Sequence, residues 1–204
     1  MGGYVEEELR NAARSLAERD PSYAQKALES DTVVDRLQLT VDEQCLKILA
    51  LHQPVAGDLR FITATIKIAN DLERIGDLAG NLAKRALLLV KEAPFDAPID
   101  IERMVEIASG MLRDSLDSLV RGDAAMARSV CDRDDEVDIL HRTQIKQLLE
   151  HMKAHPDSIE QCEALISSSR CIERIADLAT NIAEDVVFLV EAIDIRHPGI
   201  QRQG

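Results

Sequence analysis

The residues best suited to chemistry in this chain are carboxylates, and they come in pairs four apart. Glu73 and Asp77 stand in the stretch Asp71-Leu72-Glu73-Arg74-Ile75-Gly76-Asp77-Leu78-Ala79-Gly80-Asn81. Glu173 and Asp177 stand in Cys171-Ile172-Glu173-Arg174-Ile175-Ala176-Asp177-Leu178-Ala179-Thr180-Asn181. Glu, Arg, Ile, Asp, Leu, Ala and Asn recur at one spacing. Residues four apart share a helix face, and two carboxylates there repel by roughly a few tenths of a kcal/mol. A cost incurred twice in matched positions needs an offset. The ordinary offset is a nearby arginine, and Arg74 and Arg174 are candidates. The other is a cation held between carboxylates.

The elements that must position these acids are read from the punctuation of the chain. Asp20-Pro21 reads as a helix cap followed by proline at the first helical position. Gln53-Pro54, Pro94 and Pro98, Gly122-Asp123 and His155-Pro156-Asp157 mark breaks, and Asp157-Ser158-Ile159-Glu160 has capping-box spacing. The tail from Pro198 reads as frayed. Six helical stretches remain, at about 3–18, 21–52, 56–92, 99–121, 124–154 and 158–192. Each carries apolar residues three and four apart, such as Leu59, Ile62, Ile66, Ala69 and Leu72. No alternating strand pattern competes.

The two halves repeat. A shift of 103 aligns residues 9–37 with ten identities, among them Asp31/Asp134 and Asp35/Asp138, and a shift of 100 aligns residues 58–93 with twelve more. That density indicates a duplicated three-helix unit, with a period too long for a solenoid. The predicted fold is all-α: two pseudo-symmetric three-helix bundles, spanning residues 1–93 and 98–197.

The repeat exposes four further acids: Asp31 and Asp35 on the second helix of the first unit, Asp134 and Asp138 on that of the second. Helices joined by a short turn run antiparallel. Asp35 and Glu73 are equally far from Pro54, and so are Asp31 and Asp77. In the second unit Asp138/Glu173 and Asp134/Asp177 share a midpoint between His155 and Pro156. Each hairpin therefore brings four carboxylates to one level, some 30 Å from its turn at about 1.5 Å per residue. Glu73 and Asp77 fall at the margin between the apolar face and a basic face carrying Arg60, Lys67 and Arg74. Acids gathered there raise one another's pKa, and hard cations such as Mg, Mn, Ca and Fe relieve them. The expected metal ligands are Asp31, Asp35, Glu73 and Asp77 at one site, and Asp134, Asp138, Glu173 and Asp177 at the other. The alternative at each is a solvated acidic face.

Other residues have plainer readings. Asn81 and Asn181 continue each acidic stripe by one turn, as further ligands, as groups orienting a carboxylate, or as surface hydrogen bonders. His52, His141, His151, His155 and His197 do not cluster. Asp138-x-x-His141 and Asp194-x-x-His197 have i,i+3 spacing, which makes His141 a candidate outer ligand, but the Glu-x-x-His pair of di-iron bundles is missing.

Composition bounds the function. The chain has 204 residues, 46% hydrophobic and only 2% aromatic, with no Trp, which suits a helical core of Leu, Ile, Val and Ala. A net charge of −13 argues against nucleic acid and against unaided binding to anionic lipid. Cys45, Cys131, Cys162 and Cys171 form no C-x-x-C pair, so they are expected as reduced thiols in a cytoplasmic protein. No apolar run nears the ~20 residues of a membrane span, and Met1 leads into an acidic helix start with no signal peptide.

Taken with their spacing, these motifs resemble the PhoU family, accessory regulators of the bacterial phosphate-specific transport system. The resemblance runs through Met1-Gly2-Gly3, the two Asp-x-x-x-Asp pairs, Leu51-His52-Gln53-Pro54-Val55-Ala56-Gly57-Asp58-Leu59-Arg60 and both Glu-Arg-Ile-x-Asp-Leu-Ala-x-Asn repeats. It implies two pseudo-symmetric three-helix bundles, with metal clusters at the paired Glu/Asp-x-x-x-Asp motifs. Family members usually carry further apolar helix ahead of the Met-Gly, so the first helix is expected to be truncated or its start misassigned. The implied function is non-enzymatic: a homodimeric negative regulator linking the phosphate transporter's ATPase subunit to a sensor histidine kinase. Its cofactors would be divalent or trivalent metal ions (Fe, Mn, Mg or Zn). No nucleophile–base pair, P-loop or dinucleotide fingerprint appears. The competing classes are a carboxylate-bound metal oxidoreductase or hydrolase on a helical bundle, and a plain helical adaptor whose acids serve solubility.

Overall fold

The structure, a computed structural model, describes residues 1–92 and 99–196. Its helices are α1 (Gly2–Glu18), α2 (Pro21–His52), α3 (Ala56–Lys91), α4 (Ile101–Arg121), α5 (Ala124–Cys131), α6 (Asp134–Ala154) and α7 (Ile159–Glu191). A 3-10 turn, Pro156–Ser158, precedes α7, and no strand occurs among the described residues. The expected boundaries at 93, 98 and 197, the prolines Pro94 and Pro98, His197 and the tail from Pro198 lie outside the described residues.

Side-chain caps start three of the seven described α-helices. Asp20 accepts from the Ser22 N–H at 2.9 Å, with Pro21 at the first helical position. Asp123 accepts from the Met126 N–H at 3.0 Å after a left-handed Gly122, whose φ of 62° suits a residue without Cβ. Asp100 accepts from the Arg103 N–H at 2.9 Å. The capping box expected at Asp157–Glu160 does not form. There the chain makes its 3-10 turn instead, and Ser158 Oγ donates to the His155 carbonyl at 2.8 Å.

One further element departs from expectation. The stretch read as a single helix over 124–154 bends at Asp132–Arg133, dividing it into α5 and α6. Arg133 N–H reaches the Val130 carbonyl, a tightened i→i−3 bond, and its guanidinium pairs with Asp114 of α4. The bend puts Asp134 in the first turn of α6, where the N-terminal end of the helix dipole favours an anion. In the first unit α2 runs straight through the corresponding place, so Asp31 is mid-helix.

The architecture is two related units around a central antiparallel pair, with three helices in the first and, because its middle helix is broken, four in the second. α1 and α2 pack on α3, α4, α5 and α6 pack on α7, and α3 packs along α7. The direction follows from two contacts: Lys67 reaches Asp185, and Arg85 reaches Glu163. Ala79 and Ala83 of α3 and Ala179 and Ala183 of α7 are fully buried, and small side chains let helix axes approach closely. One hydrophobic cluster runs through both units, from Val5, Leu9 and Ile75 to Met111, Ile172 and Ile182. Each such side chain contributes about 1.5–3 kcal/mol by leaving water. The stripe read on α3 is buried at Ile62, Ala69 and Leu72, half-buried at Ile66 and exposed at Leu59, because the end of the α2–α3 hairpin extends past the core.

Candidate metal centre

The register that brings the acids level rests on the turn at Gln53, where a left-handed residue (φ 46°) ends α2. Gln38 Nε2 donates to Asn70 Oδ1 at 2.9 Å. Gln38 lies three residues beyond Asp35 toward the turn, and Asn70 three residues before Glu73. This bond therefore sets Asp35 opposite Glu73 and Asp31 opposite Asp77, as the equal distances from Pro54 require. In the second hairpin His141 Nδ1 meets Ser169 Oγ at 2.8 Å, and Thr180 Oγ1 donates to Asp134 Oδ1 at 3.3 Å. These contacts place the 134/138 pair beside the 173/177 pair.

The acids of each hairpin share one electrostatic neighbourhood. Burial, then Asp77, Asp35 and Asp31, raise the Glu73 carboxyl above the usual carboxylate range. Burial, then Asp35 and Asp77, raise Asp31, and Lys84 opposes them. In the second hairpin burial, then Glu173, Asp134 and Asp138, push Asp177 up to about 6, against Arg174. Glu173 and Asp134 are raised as well, again mainly by burial. Arg142 pairs with Asp138 along α6. Asp35, Asp77 and Asp177 are exposed, while Asp31, Glu73, Asp134, Asp138 and Glu173 are partly buried. Both clusters thus open to solvent on one side. As the side chains stand, no three His, Cys, Asp or Glu groups among the described residues are gathered tightly enough to hold a metal ion.

The first cluster has a fifth acid that the spacing argument missed. Glu8 of α1 is 1% exposed, and neither of its carboxylate oxygens has a hydrogen-bond partner. Burial pushes its carboxyl up to about 7; Ser30 opposes, and Asp31, Asp35 and Asp77 add to the rise. Ser30 offers little help, because its hydroxyl donates to the Ala27 carbonyl at 3.0 Å. A buried carboxyl without a partner carries a desolvation penalty of about 1–3 kcal/mol, more when ionised. Extending the repeat by one residue aligns Glu8 with Met111, which is fully buried in apolar surroundings. Glu8 lies on the same stripe as Val5 and Ala12, and that stripe was the available signal.

The other candidates resolve simply. Arg74 pairs with Asp71 at 3.2 Å rather than with its acidic neighbour Glu73. His141 engages Ser169, and burial lowers its pKa. All four cysteines are free thiols; Cys45 and Cys162 are buried, and Cys131 and Cys171 partly so. No described helix is long and apolar enough to cross a membrane.

An all-carboxylate donor set with one orphaned, buried pair of oxygens fits a hard cation. Glu8, Asp31, Asp35, Glu73 and Asp77 would hold it in the first hairpin, and Asp134, Asp138, Glu173 and Asp177 in the second. The ion would supply the positive charge that these acids lack.

Known proteins share both the sequence and the shape. The pattern described as the PhoU domain matches residues 1–86 and again 101–186. The phosphate-specific transport system accessory protein PhoU homolog of Pseudomonas putida is 38% identical over 205 aligned residues, covering 99% of this chain and 79% of that one. The crystal structure of PhoU from Pseudomonas aeruginosa superposes with a TM-score of 0.91 at 36% identity, covering 94% of this chain and 92% of that one. The phosphate transport system regulatory protein PhoU from Streptococcus pneumoniae gives 0.87 at 28% identity, with 95% and 91% covered.

Proposed function

The chain belongs to the PhoU family, and on that premise we propose that it is a non-enzymatic accessory regulator of phosphate transport. The observation that carries this is its 38% identity, over 99% of its length, to a phosphate-specific transport system accessory protein. It works in the cytoplasm, contacting the transporter's ATPase subunit and a sensor histidine kinase, and it represses the starvation response when phosphate is plentiful. Deleting the gene should raise starvation-gene expression at high phosphate. Unchanged expression and unchanged phosphate uptake would end the proposal.

Asymmetry between the hairpins supports a contact surface on the first of them. Leu39, Leu46, Ile48, Leu51, Val55 and Phe61 are exposed on the α2–α3 hairpin, whereas its counterpart exposes Ile139, Leu149 and Ile159. Large exposed apolar patches mark interaction sites. The ATPase subunit is assigned to this patch, and Leu51→Asp with Phe61→Asp should abolish its capture without unfolding the chain. Homodimer formation would cover the remaining apolar margins, and a sedimentation coefficient that does not change with concentration would count against it.

Metal binding is the second part of the proposal, at the two carboxylate clusters. Side chains on the solvent side of each cluster turn inward to enclose the ion. The mutual repulsion of the acids and the unpartnered Glu8 support this. The bound ion would stiffen each hairpin at the level of its acids. Metal content before and after chelation tests it.

A further inference from the structure

The central pair α3 and α7 bears two grooves that exchange on the 100-residue shift, and they have diverged in charge. In one, the cations Lys67, Arg74 and Arg196 face the carboxylates Asp71, Glu73 and Asp185. Lys67 pairs with Asp185 at 3.1 Å and Arg74 with Asp71 at 3.2 Å. In the other, Lys84, Arg85, Arg170 and Arg174 line a space of about 370 Å³ with Asn81 and Ser167, and no carboxylate lines it. The repeat shows how this arose. Asp71, the partner of Arg74, is replaced by Cys171 beside Arg174. Asp185, the partner of Lys67, is replaced by Arg85.

The cations converge. Arg85, Arg170 and Arg174 all line the same groove beside Cys171. Among the described residues, only Arg85 of the four has a carboxylate at ion-pair distance, Glu163 at the rim, 3.7 Å away. Ser167 Oγ donates to the same Glu163 at 2.9 Å. Lys84 and Arg174 flank the acidic clusters, near Asp31 and Glu173 respectively. On a chain of net charge −13, a groove with four cations and no lining acid is a local reversal of sign.

We propose that this groove binds a soluble, compact phosphate dianion: orthophosphate, or the terminal phosphate of a small ester. Guanidinium forks match the edges of a tetrahedral oxyanion bidentately, Lys84 adds a point charge, and Asn81 adds a neutral donor. The dianion relieves the mutual repulsion of the four cations. The mate groove, whose charges are already paired, offers no such gain. The groove borders the metal clusters through Lys84, Arg170 and Arg174, so its test uses metal-free protein.

The test is calorimetric titration of the chelator-treated full chain with inorganic phosphate at low salt. One saturable site is expected, weakening as salt is added. Arg170→Gln with Arg174→Gln, both at exposed positions, should weaken it by about tenfold or more, as the loss of charge-assisted hydrogen bonds requires. Lys67→Gln in the mate groove should leave it unchanged. Any of three results would overturn the assignment: no saturable phosphate binding, the same affinity in the double arginine variant, or equal loss in Lys67→Gln. Binding to phosphatidic acid vesicles without binding of free phosphate would overturn it as well, because the ligand would then be a lipid headgroup.

Discussion

Glu8 and Gly76 occupy one small space between α1 and α3: a Cβ on Gly76 would stand 2.9 Å from Glu8 Oε2 and 3.6 Å from Val34. Their repeat mates are Met111 and Ala176. The two units thus differ at both positions, with a buried carboxylate and glycine in one and a buried thioether and alanine in the other. Gly76→Ala should gain about 1 kcal/mol of helix propensity and lose about 1–3 kcal/mol to overpacking. The loss prevails because the Glu8 carboxylate, at the end of a buried side chain, must shift to admit the Cβ. Glu8→Met should rescue Gly76→Ala, since it recreates the pair of the second unit. Urea midpoints of the two single variants and the double variant measure this coupling, and additive effects would show that the two residues do not share the space.

The proton on Glu8 makes stability depend on pH. In the unfolded chain Glu8 ionises near its ordinary 4.5; in the folded chain it keeps its proton to about 7. Between those values the folded state holds more protons, so stability falls as pH rises, by about 3 kcal/mol across the window. Asp177, raised from 3.8 to about 6, acts with the same sign but is exposed. Chelated protein should therefore be more stable near the acid end of the window than at neutral pH. Glu8→Gln should flatten most of that slope. If the variant kept the wild-type slope in urea unfolding at several pH values, the buried carboxyl would not be its source.

Much of this arrangement is legible in the sequence, for a physical reason. Two long helices joined at Pro54 can be paired only around that turn, so residue numbers alone set Asp35 against Glu73, and the Gln38–Asn70 bond shows that register. The bend at Asp132–Arg133 carried no such signal. No proline or glycine marks it, and the Arg133–Asp114 pair that accompanies it joins residues of different helices. Glu8 was hidden by its neighbours, since Glu6-Glu7-Glu8 reads as a solvated helix start. Only its place between Val5 and Ala12 on the buried stripe, and its alignment with Met111, set it apart. The charge divergence of the two central grooves needed the three-dimensional pairing of α3 with α7, which lie on opposite sides of the repeat boundary.

Two adjacent leucines of α6 test the packing. Leu148 is fully buried and Leu149 is 47% exposed. Leu148→Ala should cost about 2–5 kcal/mol, from lost transfer free energy and the cavity left behind. Leu149→Ala should stay within about 0.5 kcal/mol. Equal losses in chemical denaturation would mean that α6 is rotated about its axis relative to this structure.

The metal centres are tested by removing one acid from each. Asp77→Asn takes a charge from a cluster of five acids, and Asp177→Asn from a cluster of four. Each hairpin carries its own acids, so each variant should lose metal at its own site and keep it at the other. The affinity loss should exceed the roughly 10–100-fold typical of mutating a group that only supports a ligand. Glu8→Gln should weaken the first site alone, because α1 places no other acid in that cluster and Met111 occupies its position in the second unit. Acid should strip the metal early. Glu73, Asp31, Glu173 and Asp134 all take up protons above the usual carboxylate range, and Asp177 does so near 6; protonated carboxylates are poor ligands. Titration with manganese, followed by metal analysis and thermal unfolding with and without chelator, reads each of these outcomes. Wild-type protein that takes up no manganese would leave nine acids with no ligand to explain them. Metal content unchanged in both asparagine variants would place any bound ion elsewhere. Loss at both sites from either variant would show that the two clusters form one coupled unit through α3 and α7.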